Sequence, residues 1–284
     1  MLDQPARRPG SATWSVDDIR FDQIDPRLIA ADAQLFYMLV SASFVEITSD
    51  LYTRNLTELF AGDAEITDWL AHGWEPEELQ HGMALKRYVQ AAWPDFDWDR
   101  AYRNFLGDYS HYCSVDQLAP NQTLEMLARC VVETGTASFY SMLSQVTVEP
   151  VLKQLADHIR SDEVRHYKHF YHYFLRYAER EPPRRTAIMR TLWSRLAEID
   201  EEDALLSFKH VYLARNPGAE FGMHDYALFR NGIQQMAMRH FPYAMAARML
   251  VKPLGFSALV NRLMMPVITA TGRFLFLARL AYRA

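Results

Sequence analysis

The sequence has few of the residues that staple or punctuate a chain. Only two cysteines, Cys113 and Cys130, occur in 284 residues. That excludes a disulfide framework, and their spacing matches no thiolate metal site. Both are expected to be ordinary buried or half-buried thiols in a reducing, cytoplasmic setting. Glycine and proline are sparse, at 11 and 13, which suits long helices more than a many-turned β protein. Arginine or lysine interrupts every apolar stretch before it reaches the roughly 18 residues that a membrane span needs. The polar start of the chain, with Arg7, Arg8, Pro9 and Gly10, has no apolar signal region. What is abundant is apolar surface. Half of the residues are hydrophobic and 13% are aromatic, which excludes a disordered chain and allows one large core with an extension.

The expected organisation is all-α, with a loose arm over residues 1–26, a helical bundle over 27–183 and a helical C-terminal extension over 184–284 packed on it. Asp25-Pro26 reads as a helix start, followed by a helix over 27–55. A short helix and a break at His72-Gly73 precede a helix over 75–92, with Pro76 in its first turn. A connecting helix over 98–118, then helices over 122–147 and 150–180, complete the bundle. Glu181-Pro182-Pro183 closes it. Helical patterns recur over 185–198, 201–214, 222–250 and 255–281.

Two of these helices carry Glu-x-x-His: Glu78/His81 and Glu163/His166. Residues three apart lie on one helix face, so each carboxylate and imidazole point at the same place. Two more helices carry a single glutamate in an apolar run, Glu46 and Glu133. Such a carboxylate is costly to bury unless paired or bound to a cation. Either could instead sit on the surface or pair with an arginine such as Arg129. Helix-bundle sites for two metal ions use two Glu-x-x-His helices and one glutamate from each of two others, and the chain holds that set in the order single, pair, single, pair. Six oxygen and imidazole donors suit iron or manganese. His72 reads as a loop residue, and His111, His169 and His172 as packing.

These stretches are similar to those of the ferritin-like di-iron carboxylate oxidases, most closely the soluble acyl-carrier-protein desaturases. Glu77-Glu78-Leu79-Gln80-His81-Gly82 resembles the family's Glu-Glu-x-Arg-His-Gly, departing at Gln80. Asp162-Glu163-Val164-Arg165-His166 resembles its Asp-Glu-x-Arg-His, and the stretch from Glu133 to Phe139 resembles its Glu-x-Ala-Thr-x-Phe region. The resemblance spans residues 30 to 180. It implies a ferritin-like four-helix bundle whose two ions are held by Glu46, Glu78, His81, Glu133, Glu163 and His166. With O2 and an external electron donor such as a ferredoxin, that centre would desaturate or hydroxylate a small-molecule, carrier-linked or CoA-linked acyl substrate. It further implies that Asp162 hydrogen-bonds His81 and that the Thr136 hydroxyl serves the oxygen side of the centre; without the resemblance, Asp162 reads as a solvated acid and Thr136 as a back-bonded helix residue.

Departures narrow the assignment. Leu85 stands where ribonucleotide reductase small subunits place a radical tyrosine, and Ile159 stands where the di-iron arylamine N-oxygenases add a histidine. A ferritin is usually a much shorter chain. The haem-oxygenase-like di-iron oxidases resemble Glu78/His81, Glu133 and Asp162/His166, with Asp162 as ligand and Glu46 outside the set. A non-enzymatic iron-binding helical protein is the remaining alternative.

The last absence is of acid. Residues 226–284 contain eight basic residues (Arg230, Arg239, Arg248, Lys252, Arg262, Arg273, Arg279 and Arg283) and no aspartate or glutamate, whereas residues 1–225 hold 22 basic and 35 acidic residues, a net −13. Such asymmetry points to an anionic partner: a membrane surface touched peripherally, an acidic carrier protein or an anionic thioester. Pairing with the acidic bundle, within one subunit or across a homodimer, would also satisfy it. No accompanying motif supports nucleic acid.

Overall fold

A computed structural model of the chain describes residues 13–113, 118–198 and 203–282, with side chains through residue 274. Among the described residues every regular element is helical. Residues 1–12 of the expected arm, and Arg283, lie outside them.

Two antiparallel helix pairs enclose the centre of the molecule. The first pairs Ala33–Ile47 (α1) with Glu75–Ala92 (α4); Ser49–Leu59 (α2) and Ala64–Trp69 (α3) prolong these two helices and join them. The second pairs Gln122–Val146 (α6) with Pro150–Arg180 (α7). Local chemistry sets the starts. The Asp32, Asn121 and Glu149 side chains accept from the backbone N–H groups of Leu35, Leu124 and Leu152, satisfying donors that a helix N-terminus leaves free. Pro150 follows its cap directly, where its missing N–H costs nothing. Trp98–Tyr109 (α5) packs beside the first pair, and Phe44, Trp98 and Phe105 meet in the core there.

Glycine matters most where two helix backbones meet. A Cβ on Gly82 would lie 2.6 Å from the Ile47 backbone nitrogen. Only glycine lets α1 and α4 come this close, and the contact joins the residues that follow Glu46 and His81.

The remaining helices pack on this frame. Arg185–Glu198 (α8) lies on α6, and Asp203–Arg215 (α9) on α1 and α5. Met223–His240 (α10) and Tyr243–Val251 (α11) cover α6, and Ala258–Tyr282 (α12) lies against α10 and α11.

Five expectations need revision. The helix expected over 27–55 starts at Ala33 and is divided at Thr48, and the connecting helix expected over 98–118 ends at Tyr109. The break at His72-Gly73 is a π-helical turn, Leu70–Trp74, that runs directly into α4. The helix anticipated over 222–250 is divided at Phe241-Pro242, where proline lacks the N–H and clashes with the preceding turn. Part of the stretch read as a loose arm is packed: Trp14 and Ile19 are each 3% exposed, because both find apolar partners against α4 and α7.

Candidate metal centre

The helical repeat delivers the expected side chains to one place. α1 supplies Glu46, α4 supplies Glu78 and His81, α6 supplies Glu133, and α7 supplies Glu163 and His166. All six are at most 7% exposed. They form two groups of potential donors, Glu46, Glu78, His81 and Glu163, and Glu78, Glu133, Glu163 and His166; within each group the donor atoms lie within 4.8 Å of one another. Glu78 and Glu163 belong to both. The arrangement therefore has two shared carboxylates flanked by one glutamate and one histidine on either side.

Both imidazoles turn the same nitrogen inward. His81 Nδ1 lies 3.2 Å from Glu163 Oε1 and 3.8 Å from Glu46 Oε2. His166 Nδ1 lies 2.9 Å from Glu78 Oε1 and 3.6 Å from Glu133 Oε2. Their outer nitrogens meet acids behind the ring. His81 Nε2 is 3.1 Å from Asp162 Oδ2, and His166 Nε2 is 2.7 Å from Glu77 Oε2. A carboxylate only accepts, so each Nε2 carries a proton, and with a cation in the shared space each ring would present its Nδ1 lone pair to it.

The two outer acids are related by a simple rule. Each stands immediately before the glutamate of its own Glu-x-x-His pair and reaches across to the histidine of the other. Arg165 ties them together, with one nitrogen 2.6 Å from Glu77 Oε2 and another 2.8 Å from Asp162 Oδ1. The Trp14 indole N–H donates to Asp162 Oδ2 at 2.7 Å, and its ring lies parallel to that of His81 at 6.2 Å. Gln80, the departure from the family pattern, donates to the Trp14 carbonyl and so fastens this segment over the site.

α6 adds two hydroxyls. Thr136 donates to Glu163 Oε2 at 2.8 Å or back to its own helix at Val132 and Glu133. Tyr140, one turn further on, donates to Glu46 Oε1. Arg129 is not the partner of Glu133; it pairs with Glu125 at 2.8 Å.

Electrostatics follow from burying four carboxylates together. Burial, reinforced by the Glu163 charge, pushes Glu78 up to about 8 and holds Glu133 well above the usual carboxylate range. Burial alone would raise Glu163 too, but His166 and His81 hold it well below that range. Burial would lower His81 and His166, yet the surrounding carboxylates, Asp162 and Glu163 foremost for His81 and Glu133 and Glu163 for His166, raise both well above the ordinary imidazole value. The protein alone thus meets its buried negative charge with protons.

Cations would do so better. Glu78 Oε1, His81 Nδ1, Glu133 Oε2, Glu163 Oε1 and His166 Nδ1 are buried without a hydrogen bond of good geometry, and all face the shared space. Unpaired buried polar atoms of this kind cost about 1–3 kcal/mol each. Two divalent ions would satisfy them and balance four carboxylates in charge. The residues present fit a pair of metal ions.

Glu77, Trp14, Gln80 and Tyr140 have roles here that sequence reasoning did not assign. For Glu77 a signal existed, since it precedes a ligand-type glutamate as Asp162 does. The others act across helices and leave no periodic trace. His72, by contrast, lies exposed against Asp68 in the π-helical turn rather than in a loop, and His169 stacks on Trp69, in keeping with a packing role. No protein-family model matches the chain, and no curated protein is detectably similar to it.

Proposed function

We propose that the chain is a ferritin-like di-iron oxidase, an O2-dependent enzyme that desaturates or hydroxylates a C–H bond of an acyl-type substrate. The observation that carries the reading is the pair of buried donor groups sharing Glu78 and Glu163. Glu46 and His81 would complete one ion's set, and Glu133 and His166 the other's. Oxygen and nitrogen donors with no thiolate favour iron, or manganese, over zinc and copper sites built on cysteine. When bound, such a pair of ions supplies the two-electron reduction of O2 that oxidation of an unactivated C–H bond requires.

The chain's own residues have separable tasks. Asp162 and Glu77 fix the ring orientation and tautomer of His81 and His166, and outer partners of this kind raise the basicity of a ligand. Thr136 steadies Glu163 and is the hydroxyl placed to pass a proton to that carboxylate; Tyr140 does the same for Glu46. The packed side chains around the centre exclude water, which strengthens each of these interactions. The acyl class of the substrate and a ferredoxin-like donor follow from the resemblance of the motifs.

The geometry favours Glu46 over Asp162 as a ligand. Asp162 lies behind His81, on the Nε2 side, whereas Glu46 faces Nδ1 with the other donors. This speaks against the haem-oxygenase-like arrangement. Loading with ferrous iron without air, followed by O2 and a chemical reductant, tests the function. Iron-dependent O2 consumption is expected. Bound iron with no O2 consumption would make the chain a helical iron-binding protein instead.

A further inference from the structure

Among the described residues, nothing covers the outward face of α12. Leu259, Leu263, Val267 and Phe274 are 68%, 65%, 56% and 70% exposed. Their spacing of four, four and seven places them on one helix face, and Val260 and Met264 widen the stripe. A contiguous apolar face on a globular protein marks an interaction site.

Arg262 and Arg273 edge this stripe on α12 itself. Behind Arg262, away from the stripe, Arg248 and Lys252 join it in a surface pocket of about 530 Å³. Among the described residues, none of these four side chains pairs with a carboxylate, and residues 226–284 hold no acid at all. Arg273 instead donates to the Met238 carbonyl, anchoring α12 to α10.

We infer that α12 docks this protein on an anionic lipid surface, lying in the plane of the headgroups. A large apolar face edged by arginine is the chemistry of an interfacial helix: the apolar side chains enter the acyl boundary and the cations meet the headgroups. No described helix is long and apolar enough to cross a membrane, so the helix lies on the bilayer. A two-fold symmetric contact with a second copy would set the same cations against one another. A purely acidic soluble partner would leave the apolar stripe in water.

The test is co-sedimentation of the full chain with vesicles, either of phosphatidylcholine alone or with about a third of the lipid replaced by phosphatidylglycerol. Binding is expected on the anionic vesicles, to fall with added salt, and to be weak on phosphatidylcholine. The double variant Arg248→Gln/Arg262→Gln should weaken it about 25-fold, at roughly fivefold per cation. Leu263→Gln/Val267→Gln should weaken it at least about tenfold with an unchanged melting temperature, since both side chains are exposed. Equal binding to both vesicle types would overturn the proposal. So would vesicle binding that survives the Leu263/Val267 change, which would indicate a purely ionic contact. A wild-type dimer that this same change splits into monomers would make the stripe a subunit interface and overturn it as well.

Discussion

The two halves of the centre use the same parts but are braced differently. On the α1/α4 side, Glu46 and His81 are held by Tyr140, Asp162 and Trp14. On the α6/α7 side, among the described residues, Glu77 and Arg165 stand behind the His166 ring. The shared glutamates do not distinguish the halves; the second layer does. Both halves depend on contacts that cross between the helix pairs, Asp162 to His81 and Glu77 to His166. The first half depends in addition on Tyr140 and on the segment around Trp14. The first half should therefore be the more easily disturbed from a distance.

The largest effects should come from the histidines. His81→Ala and His166→Ala each remove an inward lone pair and should release most of the metal while the helices persist, as measured by metal content and circular dichroism. Full metal retention in both variants would end the assignment. Next come the acids of the first half. Glu46→Ala removes a direct donor and should alter the spectrum of the oxidised centre. Asp162→Ala should cost only about 10- to 100-fold in affinity, as loss of an outer partner does. The reverse ranking would move Asp162 into the ligand set and favour the haem-oxygenase-like arrangement.

A smaller effect sharpens the asymmetry. Gly82→Ala forces α1 away from α4 and should cost about 1–3 kcal/mol by overpacking. Because it parts Glu46 from His81, it should weaken one of two metal-binding steps and spare the other, which calorimetric titration resolves. Equal weakening of both steps would mean that the halves are not mechanically separate. The smallest effect on binding is expected from Thr136→Val, which keeps shape and removes the hydroxyl. Metal should stay, while substrate oxidised per O2 consumed should fall. Unchanged coupling would reduce Thr136 to packing.

Much of this centre can be read along the chain, because helical spacing alone aligns Glu78 with His81 and Glu163 with His166. The order of the four ligand-bearing segments adds Glu46 and Glu133. Helix starts at Glu149-Pro150 and Asn121 are legible for the same local reason, a cap followed by an apolar repeat. What the pattern does not carry is contact between helices. Trp14 is a lone aromatic in a polar stretch, and only the folded chain brings it to Asp162. The role of Gly82 depends on how near α1 approaches, and that of Tyr140 on which neighbour it faces. Pro242 did announce the division between α10 and α11, but the apolar repeat on both sides of it masks the break. The π-helical turn before α4 has no comparable marker, since His72-Gly73 reads as a loop on composition.

The central claim is that Glu78 and Glu163 join two ion sites into one centre. Anaerobic titration of the metal-free protein with ferrous iron, followed by its absorption or circular dichroism, tests it most directly. The account predicts saturation at two ions per chain, with both steps lost when either Glu78 or Glu163 is changed to alanine. Saturation at one ion, or two steps that survive loss of either glutamate, would contradict it.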